Sequence, residues 1–581
     1  MGRRRPRNAC DDEDCGCPHK NISSSTKKNG SQTKYPEKPI SLEQALQEQT
    51  ILDLFIIGAG PHALSLLLRL IEPDADLLAD KERHLHAEYS VRQRPIRDVF
   101  AHLRRLSRGR PSVTLKRPKR KKKWIAEGAS PNPPSISLSA IYEKTIVMDH
   151  HGGWLTNWNK HFQTLKIPQL RSLVSAHADP YDHRSLEFYA EKTHQEEQLI
   201  YLPHLKKRDG DFRGPYEAPS TMIFQEFHEM LIQSYGLKDM VQKGFVSSVL
   251  PIPDPLDSQK AMFEVTFKLP GIAKLQTLKT RRVVCAMGPK IHSIPAFWES
   301  TLRKELSLEN RIYPSDKIVH SSEIVSFLQT KSKKMIPKLL IVGGGITSAQ
   351  LAILAAKSTW CQSVTIFQRS RILERQFDIE TKWMGPKRGS LLDEFWSQSM
   401  SQRANLLQAA RKGGSIPPEV LKVLVNNSKI KTHEEIQISN VEWTGKDFVV
   451  SMDTGESESF DMIWLATGSE NSIDSFPILS NLSSILPIQI IQGLPVLSKD
   501  LSWKLPFDMN EKEEEPWKKM ARKQVWCMGS LAGLELGPDA LNLIGGRHGA
   551  VRVATALRRD FNQVHDVPFK TEDPNDGTIN L

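Results

Sequence analysis

The sequence predicts an α/β fold with two Rossmann-like dinucleotide-binding domains, and two observations lead to this prediction. One glycine-rich turn stands between a short apolar strand and an apolar helix near residue 58, and a second turn of this kind stands near residue 343. Each fits the spacing G-x-G-x-x-small, which lets the chain turn sharply, approach a pyrophosphate and pack the helix against the strand. One such turn is a weak signal, but two of them in the same context predict two dinucleotide sites.

Length and composition agree with a multi-domain globular protein. The chain has 581 residues, of which 39% are hydrophobic and 25% charged, and this composition excludes collagen, coiled-coil and mostly disordered chains. At roughly 150 residues per domain, three or four domains are expected. Six cysteines in this length cannot form a disulfide framework, so a reducing, cytoplasmic location is expected.

The net charge of +12 comes from one segment. Between Arg92 and Lys123 there are 14 basic residues and one acid, a local net charge of +13, so the remaining residues sum to −1. The fold as a whole is therefore not basic, and a DNA-binding domain is not expected. Within this segment, residues 116–123 hold seven basic residues in eight. This run resembles a nuclear-import signal or an anion-binding surface, and a solvated charged loop is the alternative.

The N-terminal residues 1–49 are expected to be a disordered polar tail. No apolar segment follows the basic start, and four acids do, so a secretory signal is not expected. The tail holds Cys10, Cys15, Cys17 and His19, whose spacing fits no zinc pattern, and no metal site is predicted. The apolar stretch 51–71 that follows contains charged residues and a glycine turn, so it predicts a buried strand and helix and not a membrane span.

The first turn supplies the first set of candidate site residues. Leu54–Ile57 is the strand and residues 64–71 are the helix, with five candidate cofactor-binding residues at and just after the turn: Gly58, Ala59, Gly60, Pro61 and His62. The first glycine allows the turn, and the second lets phosphate approach the free N–H groups of the helix N-terminus.

The partner of the first nucleotide's ribose is expected at Asp149. No strand ending in an acid follows at the usual distance of about 20 residues, and the next candidate is 145–149. Residues from about 73 to 143 are therefore interpreted as an insertion between the first helix and the second strand.

The second turn predicts a preference for NADPH. Its candidate residues are Gly343, Gly345, Thr347 and Ser348, and the next strand ends in Gln368-Arg369-Ser370-Arg371. A carboxylate that would bind an unmodified ribose is missing there, and Arg369 and Arg371 could pair with a 2′-phosphate. The alternative is an exposed arginine pair at a strand end.

Two apolar strands that end in small residues, 281–288 and 460–468, are expected to return beneath the cofactors. A further strand, 524–528, ends at Gly529. Glycine at such an end permits close approach of the backbone, so Thr467, Gly468 and Gly529 are candidate cofactor contacts. A helix over 549–559 is expected to follow.

Together the motifs resemble those of the flavin-dependent N-hydroxylating monooxygenases that act on ornithine or lysine, and of the FAD/NAD(P)-binding oxidoreductases around them. The resemblance runs in order from about Leu52 to Asp560. It rests on 58–61, on His320-Ser-Ser322, on the 343–348 turn and on 461–468, where Ser469 replaces the family's tyrosine. Three stretches look closer to an uncharacterised branch of that family, namely 152–171, 375–387 and 529–538.

The resemblance implies FAD at the first turn, with Trp154 among its contacts, and NADPH at the second. In that family NADPH reduces the flavin, and a C4a-(hydro)peroxyflavin transfers oxygen to a nucleophile on a small substrate, so O2 is the co-substrate. The flavin supplies the difficult chemistry, and no catalytic residue is assigned. His62 and His161 are the histidines near the expected FAD contacts, and a structural polar role is preferred for both.

Two other functions remain open from the sequence. One is an NADPH-dependent reductase without oxygen transfer, and the other is a flavoprotein that has lost turnover and acts as a regulator. Dithiol reductase chemistry is not expected, because outside the tail Cys285, Cys361 and Cys527 are isolated in sequence.

The expected organisation is an FAD-binding domain interrupted by an NADPH-binding domain. The predicted boundaries are 50–330 for the first part of the FAD-binding domain, 331–471 for the NADPH-binding domain, 472–565 for the return to the FAD-binding domain and 566–581 for a C-terminal tail. The substrate pocket is expected from the loops 178–235 and 385–420, which leaves the substrate unidentified.

Overall fold

The structure is a computed structural model of the full chain. It describes residues 39–72, 141, 143–181, 183–202, 217–288, 291–292, 317–330, 335–383, 388–411, 414–470 and 472–565. The N-terminal cysteine cluster, almost all of the 73–143 insertion with its basic run, and the tail 566–581 lie outside the described residues.

The strands of the described residues follow one another along the chain in a fixed order. They are β1 (Leu54–Ile57), β2 (Thr145–Asp149), β3 (Leu199–Tyr201), β4 (Glu217–Pro219), β5 (Val241–Lys243), β6 (Phe245–Asp254), β7 (Asp257–Lys268), β8 (Gln276–Thr280), β9 (Val283–Cys285), β10 (Ile291–His292), β11 (Ile318–His320), β12 (Ile336–Val342), β13 (Cys361–Phe367), β14 (Leu373–Glu374), β15 (Ser415–Ile416), β16 (Ile430–His433), β17 (Ile438–Trp443), β18 (Phe448–Met452), β19 (Ser457–Phe460), β20 (Met462–Leu465), β21 (Ser469–Glu470), β22 (Ile490–Ile491), β23 (Leu494–Pro495) and β24 (Val525–Cys527).

The helices are numbered along the chain in the same way. They are α1 (Leu42–Gln47), α2 (Pro61–Ile71), α3 (Thr156–Leu165), α4 (Ser185–Thr193), α5 (Thr221–Ser234), α6 (Ile324–Thr330), α7 (Ile346–Lys357), α8 (Arg388–Ser397), α9 (Met400–Arg411), α10 (Pro418–Val425), α11 (Pro477–Ile485), α12 (Pro516–Lys523), α13 (Gly533–Leu536) and α14 (Leu543–His565). Short 3-10 helices span Glu196–Gln198, Lys238–Met240, Thr381–Trp383, Ile473–Ser475 and Gly529–Ala532.

Two five-stranded parallel sheets carry the described part of the chain. Sheet A has the order β24-β9-β1-β2-β5, and sheet B has the order β11-β20-β12-β13-β16. All neighbouring pairs in both sheets are parallel. In each sheet the strand before the glycine turn is central, with its successor on one side and a later strand on the other. This order creates a crevice at the carboxyl ends of the central strands, where doubly wound folds bind their ligands.

The two sheets share a second feature. A three-stranded antiparallel meander precedes one strand of each sheet in the chain: β6-β7-β8 stands between β5 and β9 of sheet A, and β17-β18-β19 stands between β16 and β20 of sheet B. Sheet A also takes β24 from the C-terminal part of the chain, after sheet B is complete. The α/β prediction with two Rossmann-like units is confirmed by this topology, whereas the exact domain boundaries stay a prediction.

Apolar side chains separate into distinct buried clusters. The largest one joins β1, β2, α2 and α14 around sheet A. Two others lie on the two faces of sheet B, one beneath α7 and the other against the β17–β19 meander. Parallel strands covered on both faces are buried throughout, which explains why β1 and β20 appear in the sequence as continuous apolar runs.

Four expectations need correction. The polar tail predicted over 1–49 is not disordered throughout, because α1 (Leu42–Gln47) lies within it and buries Leu42 and Ala45. The C-terminal helix begins at Leu543 and not at Gly549. The segments 178–235 and 385–420 are not loops, since they contain α4, α5, α8, α9 and part of α10. Cys285 and Cys527 are not isolated, because the parallel register of β9 and β24 makes them direct neighbours. A hydrogen bond with Cys285 and burial hold the pKa of the Cys527 thiol well above its ordinary value, so the Cys527 thiol is poorly suited to thiolate chemistry.

Within the described residues, the structure has no helix with the length and apolar character needed to cross a bilayer.

Candidate functional site

The first glycine turn closes onto the end of strand β9. Gly58 has φ +102°, and a Cβ at this position would lie 2.7 Å from the carbonyl oxygen of Ala286. Gly60 has no heavy atom within 4 Å of the place where its Cβ would stand. It is the N-cap of α2 and brings no side chain to cap the helix. The turn therefore needs glycine at 58 for its conformation and leaves an open helix N-terminus at 60, with Pro61 as the first helical residue.

Asp149 lies beside this turn. Its Oδ2 accepts a hydrogen bond from the Ala59 N–H at 3.1 Å, and its Oδ1 accepts one from the His151 N–H at 2.7 Å. The parallel register that pairs Ile57 with Met148 places the carboxylate there. The acid at the end of the second strand is therefore next to the first turn, although 90 residues separate it from Ala59.

Trp154 lies in a loop that is attached to the same turn. The N–H of Leu155 donates to the carbonyl of Ala59 at 2.9 Å. The buried Trp154 indole donates its N–H to the carbonyl of Leu237 at 2.8 Å, so this nitrogen serves the fold. A cofactor contact of the Trp154 ring stays a prediction.

His62 is enclosed by the C-terminal part of the chain. Its Nε2 is 3.2 Å from the carbonyl oxygen of Asn542, and a Cβ on Gly546 would overlap its ring. A Cβ on Gly529, which has φ +73°, would lie 3.4 Å from His62 Nδ1. Burial lowers the pKa of His62 to about 4, so the ring is neutral at physiological pH. Gly529, at the end of β24, and the N-terminal region of α14 thus meet the first turn at His62.

The second turn repeats the geometry of the first. Gly343 has φ +145°, and a Cβ there would overlap the carbonyl oxygen of Ala466 at the end of β20. Gly345 is the N-cap of α7, and the buried Ser348 donates its hydroxyl to the Gly345 carbonyl at 2.6 Å. Thr347 lies in the first turn of the same helix.

Thr467 and Gly468 follow β20, and Gly468 has φ +91°. Gly343 lies against the Ala466 carbonyl in the same way as Gly58 lies against the Ala286 carbonyl. In both sheets the backbone after the return strand therefore packs on the first glycine of a turn.

The residues after β13 divide into a buried glutamine and two exposed arginines. Gln368 is 4% exposed, and its Nε2 has no hydrogen-bond partner among the described residues. Its side chain lies over the middle residue of the turn, with Oε1 2.7 Å from the position of a Cβ on Gly344. Arg369 is exposed, and Arg371 is 79% exposed and 3.2 Å from the Glu435 carboxylate. Gln368 is a candidate that sequence reasoning missed, because a neutral side chain carries no charge signal.

A polar cluster joins the sheet B side of the molecule to the first turn. Asp378 accepts hydrogen bonds from Arg411 at 2.9 Å and from the Asn542 amide at 3.3 Å, and the Asn542 carbonyl meets His62. Nearby, Arg388 donates to both oxygens of Asp539. Asp378 lies within the stretch 375–387, and Arg388, Asp539 and Asn542 closely follow 375–387 or 529–538, the two stretches that look closer in sequence to an uncharacterised branch. The described residues contain no His/Cys/Asp/Glu group that could hold a metal ion.

Sequence comparisons return nothing for this chain: no protein-family model and no curated protein sequence matches it. Solved structures do match. The ornithine N-hydroxylase of Kutzneria sp. 744, solved with reduced FAD, NADP⁺ and L-ornithine, has a TM-score of 0.56 at 12% identity, covering 88% of this chain and 100% of that chain.

Two further amine oxygenases are similar. The FAD-bound cadaverine monooxygenase of Erwinia amylovora has a TM-score of 0.53 at 14% identity and covers 87% of this chain and 94% of its own. The L-lysine 6-monooxygenase of Pseudomonas syringae has a TM-score of 0.53 at 16% identity, with 87% and 99% covered. This chain has their fold. The two-dinucleotide architecture is thereby confirmed, and the fold resemblance extends over nearly the full length of each of these enzymes.

Proposed function

We propose that this protein is an FAD- and NADPH-dependent oxidoreductase, and specifically a monooxygenase that transfers oxygen from O2 to a small amine. The observation that carries the proposal is the repeated pairing of a glycine turn with a return strand, on sheets A and B, in a chain with the fold of three amine oxygenases. One sheet would hold the flavin and the other the reductant.

The residues around the first turn fit FAD. Gly60 leaves the N-terminus of α2 open to a pyrophosphate, where the helix dipole and free N–H groups favour an anion. Asp149 would bind the ribose, since each of its oxygens has a lone pair beyond its backbone hydrogen bond. Bound FAD would supply the redox and oxygen chemistry. The neutral His62, Gly529 and the α14 region would shape the wall beside it.

The residues around the second turn fit NADPH. Gln368 offers a buried amide N–H₂ without a partner among the described residues, directly beside the turn, and a ribose oxygen would satisfy it. The glutamine is neutral, so it does not repel a 2′-phosphate as a carboxylate would. Arg369 lies exposed next to it, and an arginine there can pair with that phosphate.

The amine is proposed from the three similar structures, whose own substrates by name are ornithine, cadaverine and lysine. The elements expected to line the pocket are α4 and α5 on the sheet A side and α8 and α9 on the sheet B side. They replace the loops expected from the sequence, so the proposed pocket would be lined by helices.

The test is the visible spectrum of the purified protein, recorded alone, then with NADPH without air, then after oxygen is readmitted. Flavin absorbance that bleaches with NADPH and returns with O2, together with hydroxylated product from a panel of diamines and basic amino acids, supports the proposal. Reoxidation that yields only hydrogen peroxide with every amine favours a reductase without oxygen transfer. Bound flavin that NADPH and NADH fail to reduce favours a regulatory flavoprotein.

The basic run 116–123 is proposed as a contact for an import receptor or another anionic partner. A fluorescent fusion of the full chain and its variant with alanines at 116–123 tests this proposal. Loss of nuclear fluorescence in the variant supports import, and identical distributions contradict it.

A further inference from the structure

Arg171 makes an unusual set of hydrogen bonds between the two halves of the molecule. Its guanidinium donates to the carbonyls of Gln376 at 2.8 Å, Arg375 at 2.7 Å and Ser415 at 3.1 Å, and to the Ser415 hydroxyl at 2.7 Å. All of these acceptors belong to the sheet B side of the chain, more than 200 residues away in sequence. A rigid fork with five donors can satisfy such divergent acceptors, and an ammonium group cannot.

The acceptors belong to two segments that pair with one another. β14 and β15 form a short parallel ladder in which Leu373 pairs with Ser415, and the Arg375 N–H continues it by donating to the Ile416 carbonyl at 3.0 Å. Arg171 binds backbone carbonyls of both segments, just after the end of β14 and at the first residue of β15. It therefore fixes the position at which β15 begins.

The residue just before β15 lies on the second glycine turn. A Cβ on Gly414 would be 2.5 Å from the backbone nitrogen of Gly345 and 2.8 Å from the carbonyl carbon of Gly344. The backbone at 414 is thus packed on the proposed pyrophosphate-binding turn, whereas the corresponding face of Gly60 in the first turn is open. A small displacement of Ser415 would be transmitted directly to this turn, because no side chain lies between the two backbones.

Arg171 itself is held on the sheet A side. The Leu170 N–H donates to the Pro219 carbonyl at 3.0 Å, and the Thr221 N–H donates to the Pro168 carbonyl at 3.0 Å, which ties the segment to the start of α5. Glu419 on α10 adds a second connection, since its Oε1 accepts from the Gln169 amide at 2.9 Å and from the Gln376 amide at 3.2 Å. The segment 168–171 is therefore a fixed support.

We propose that Arg171 is a positioning residue that holds Gly414 against the second glycine turn and so sets the dinucleotide affinity of sheet B from the sheet A side. This inference rests on the proposed function in one respect, namely that the second turn binds NADPH. Burial and the neighbouring arginines lower the pKa of Arg171 to about 10 against the opposing pull of Asp378 and Glu419. It therefore remains a cation at neutral pH, and all its hydrogen bonds are charge-assisted.

The experiment compares Arg171→Lys and Arg171→Met with a matched control, Arg403→Lys. Arg403 is also a largely buried arginine that donates to backbone carbonyls, those of Trp396, Gln398 and Leu534, and none of these hydrogen bonds involves a residue of the second turn. For each holoprotein, FAD content, the NADP⁺ dissociation constant by calorimetry, and hydrogen exchange of the backbone over 343–349 and 56–63 are measured.

Both Arg171 variants are expected to keep bound FAD and to weaken NADP⁺ binding by about tenfold or more, since small misplacements of a binding group are costly. Exchange over 343–349 should rise while exchange over 56–63 stays the same. Arg403→Lys should change neither the dissociation constant nor the exchange over 343–349. Gly414→Ala, which moves the segment without removing the guanidinium, should reproduce the Arg171 effect, and the double variant should be little worse than either single one.

Two results would overturn the inference. Unchanged exchange over 343–349 in both Arg171 variants would show that the guanidinium does not position the turn. Equal loss of NADP⁺ affinity in Arg171 and Arg403 variants would show that the effect is general destabilisation. A wild-type protein that binds no NADP⁺ would contradict the proposed function, and the exchange measurement would still decide whether Arg171 holds the turn.

Discussion

Gly58 and Gly343 carry out the same structural task on different sheets. Each has a positive φ and lies against a carbonyl at the end of a return strand, Ala286 or Ala466. An alanine at either place meets both a strained backbone and a backbone oxygen that cannot move aside, so the turn must open. The two substitutions are therefore matched probes of the two proposed cofactor sites.

Gly58→Ala is expected to abolish FAD binding, and Gly343→Ala is expected to leave FAD in place while weakening NADP⁺ binding by about 100-fold, because a displaced turn no longer presents its N–H groups. Flavin absorbance per mole of protein and calorimetric titration with NADP⁺ measure the two effects. Gly389→Ala is the control, since a Cβ there has no heavy atom within 4 Å. If both variants lost FAD, the two turns would not serve separate cofactors.

Coenzyme choice is expected to depend on Gln368 and Arg369. Arg369→Ala should raise the KM for NADPH more than the KM for NADH, because only NADPH carries the 2′-phosphate. Gln368→Glu should act in the same direction, since a carboxylate beside the turn repels that phosphate and accepts from a free ribose hydroxyl. The ratio of kcat/KM for the two coenzymes measures both effects. An unchanged ratio in both variants would remove the argument for NADPH at this strand end.

His228 is expected to make stability depend on pH. The side chain is 2% exposed, its Nδ1 is 2.7 Å from the Phe224 carbonyl, and its Nε2 accepts from the Ala178 N–H. Burial lowers its pKa to about 4, below the value near 6.5 of an unfolded histidine. The unfolded chain therefore binds the proton first as pH falls. The stability from His228 is present above pH 6.5 and is lost toward pH 4, at about 1.4 kcal/mol per pH unit.

His228→Gln tests this expectation. The free energy of unfolding in urea is measured for both proteins at several pH values between 4.5 and 7.5. The slope of the variant between pH 4.5 and 6 should be about 1.4 kcal/mol per pH unit shallower than that of the wild type. Parallel slopes would show that His228 is already protonated in the folded protein.

At the scale of helices and strands, the elements next to a glycine-rich turn can be predicted from the sequence. β1, α2 and β12 are recognisable because a turn with a fixed spacing stops an apolar strand and begins a helix, and β2 is located by its terminal acid. The meanders β6–β8 and β17–β19 escape sequence reasoning because their strands are half-exposed and alternate weakly. The helices α8 and α9 cover only small apolar clusters, near Phe395 and Ala404. They therefore need few apolar residues, and their weak apolar periodicity makes them look like loops in the sequence.

The same limit applies to contacts between elements. Cys285 and Cys527 are 242 positions apart in sequence, yet they are neighbours through the register of β9 and β24. Arg171 binds backbone carbonyls, which leave no chemical trace in the sequence. Contacts of this kind become apparent only from the three-dimensional structure, which brings distant parts of the chain together.

The end of helix α2 is expected to depend on α14. Arg558, which is 1% exposed, donates to the carbonyl of Arg69, in the last turn of α2, and to that of Glu72, its C-cap. These carbonyls have no partner within the helix. Arg558→Met should therefore lower the free energy of unfolding by about 2 to 3 kcal/mol. The exposed neighbour Arg559 is the control, and Arg559→Met should stay within about 0.5 kcal/mol. Equal effects in urea unfolding would contradict the capping role.

At the scale of the molecule, one architecture is used twice. Each sheet has a central strand with a glycine turn and a return strand, β9 or β20, that lies against the turn and is preceded by a meander. Sheet A is completed by β24, which follows all strands of sheet B in the chain. The strands of sheet A therefore stand on both sides of those of sheet B in the sequence. Hydrophobic clusters nevertheless form separately around each sheet.

Separate cores predict that the two cofactors stabilise separate parts of the protein. A ligand at 100 times its dissociation constant adds about 2.7 kcal/mol to the structure that binds it. NADP⁺ should therefore slow hydrogen exchange in β12 and α7 at intermediate urea while exchange in β1 and α2 stays the same. Removal of FAD should speed hydrogen exchange in β1 and α2 and leave β12 and α7 unchanged. Arg171, the Asp378–Asn542 contact, the Arg388–Asp539 ion pair and the β10–β21 ladder connect the two parts, and we expect the two cores to remain separate unfolding units despite them. If NADP⁺ protected β1 and β12 equally, the two sheets would unfold together, and these connections would be strong enough to couple the two cores.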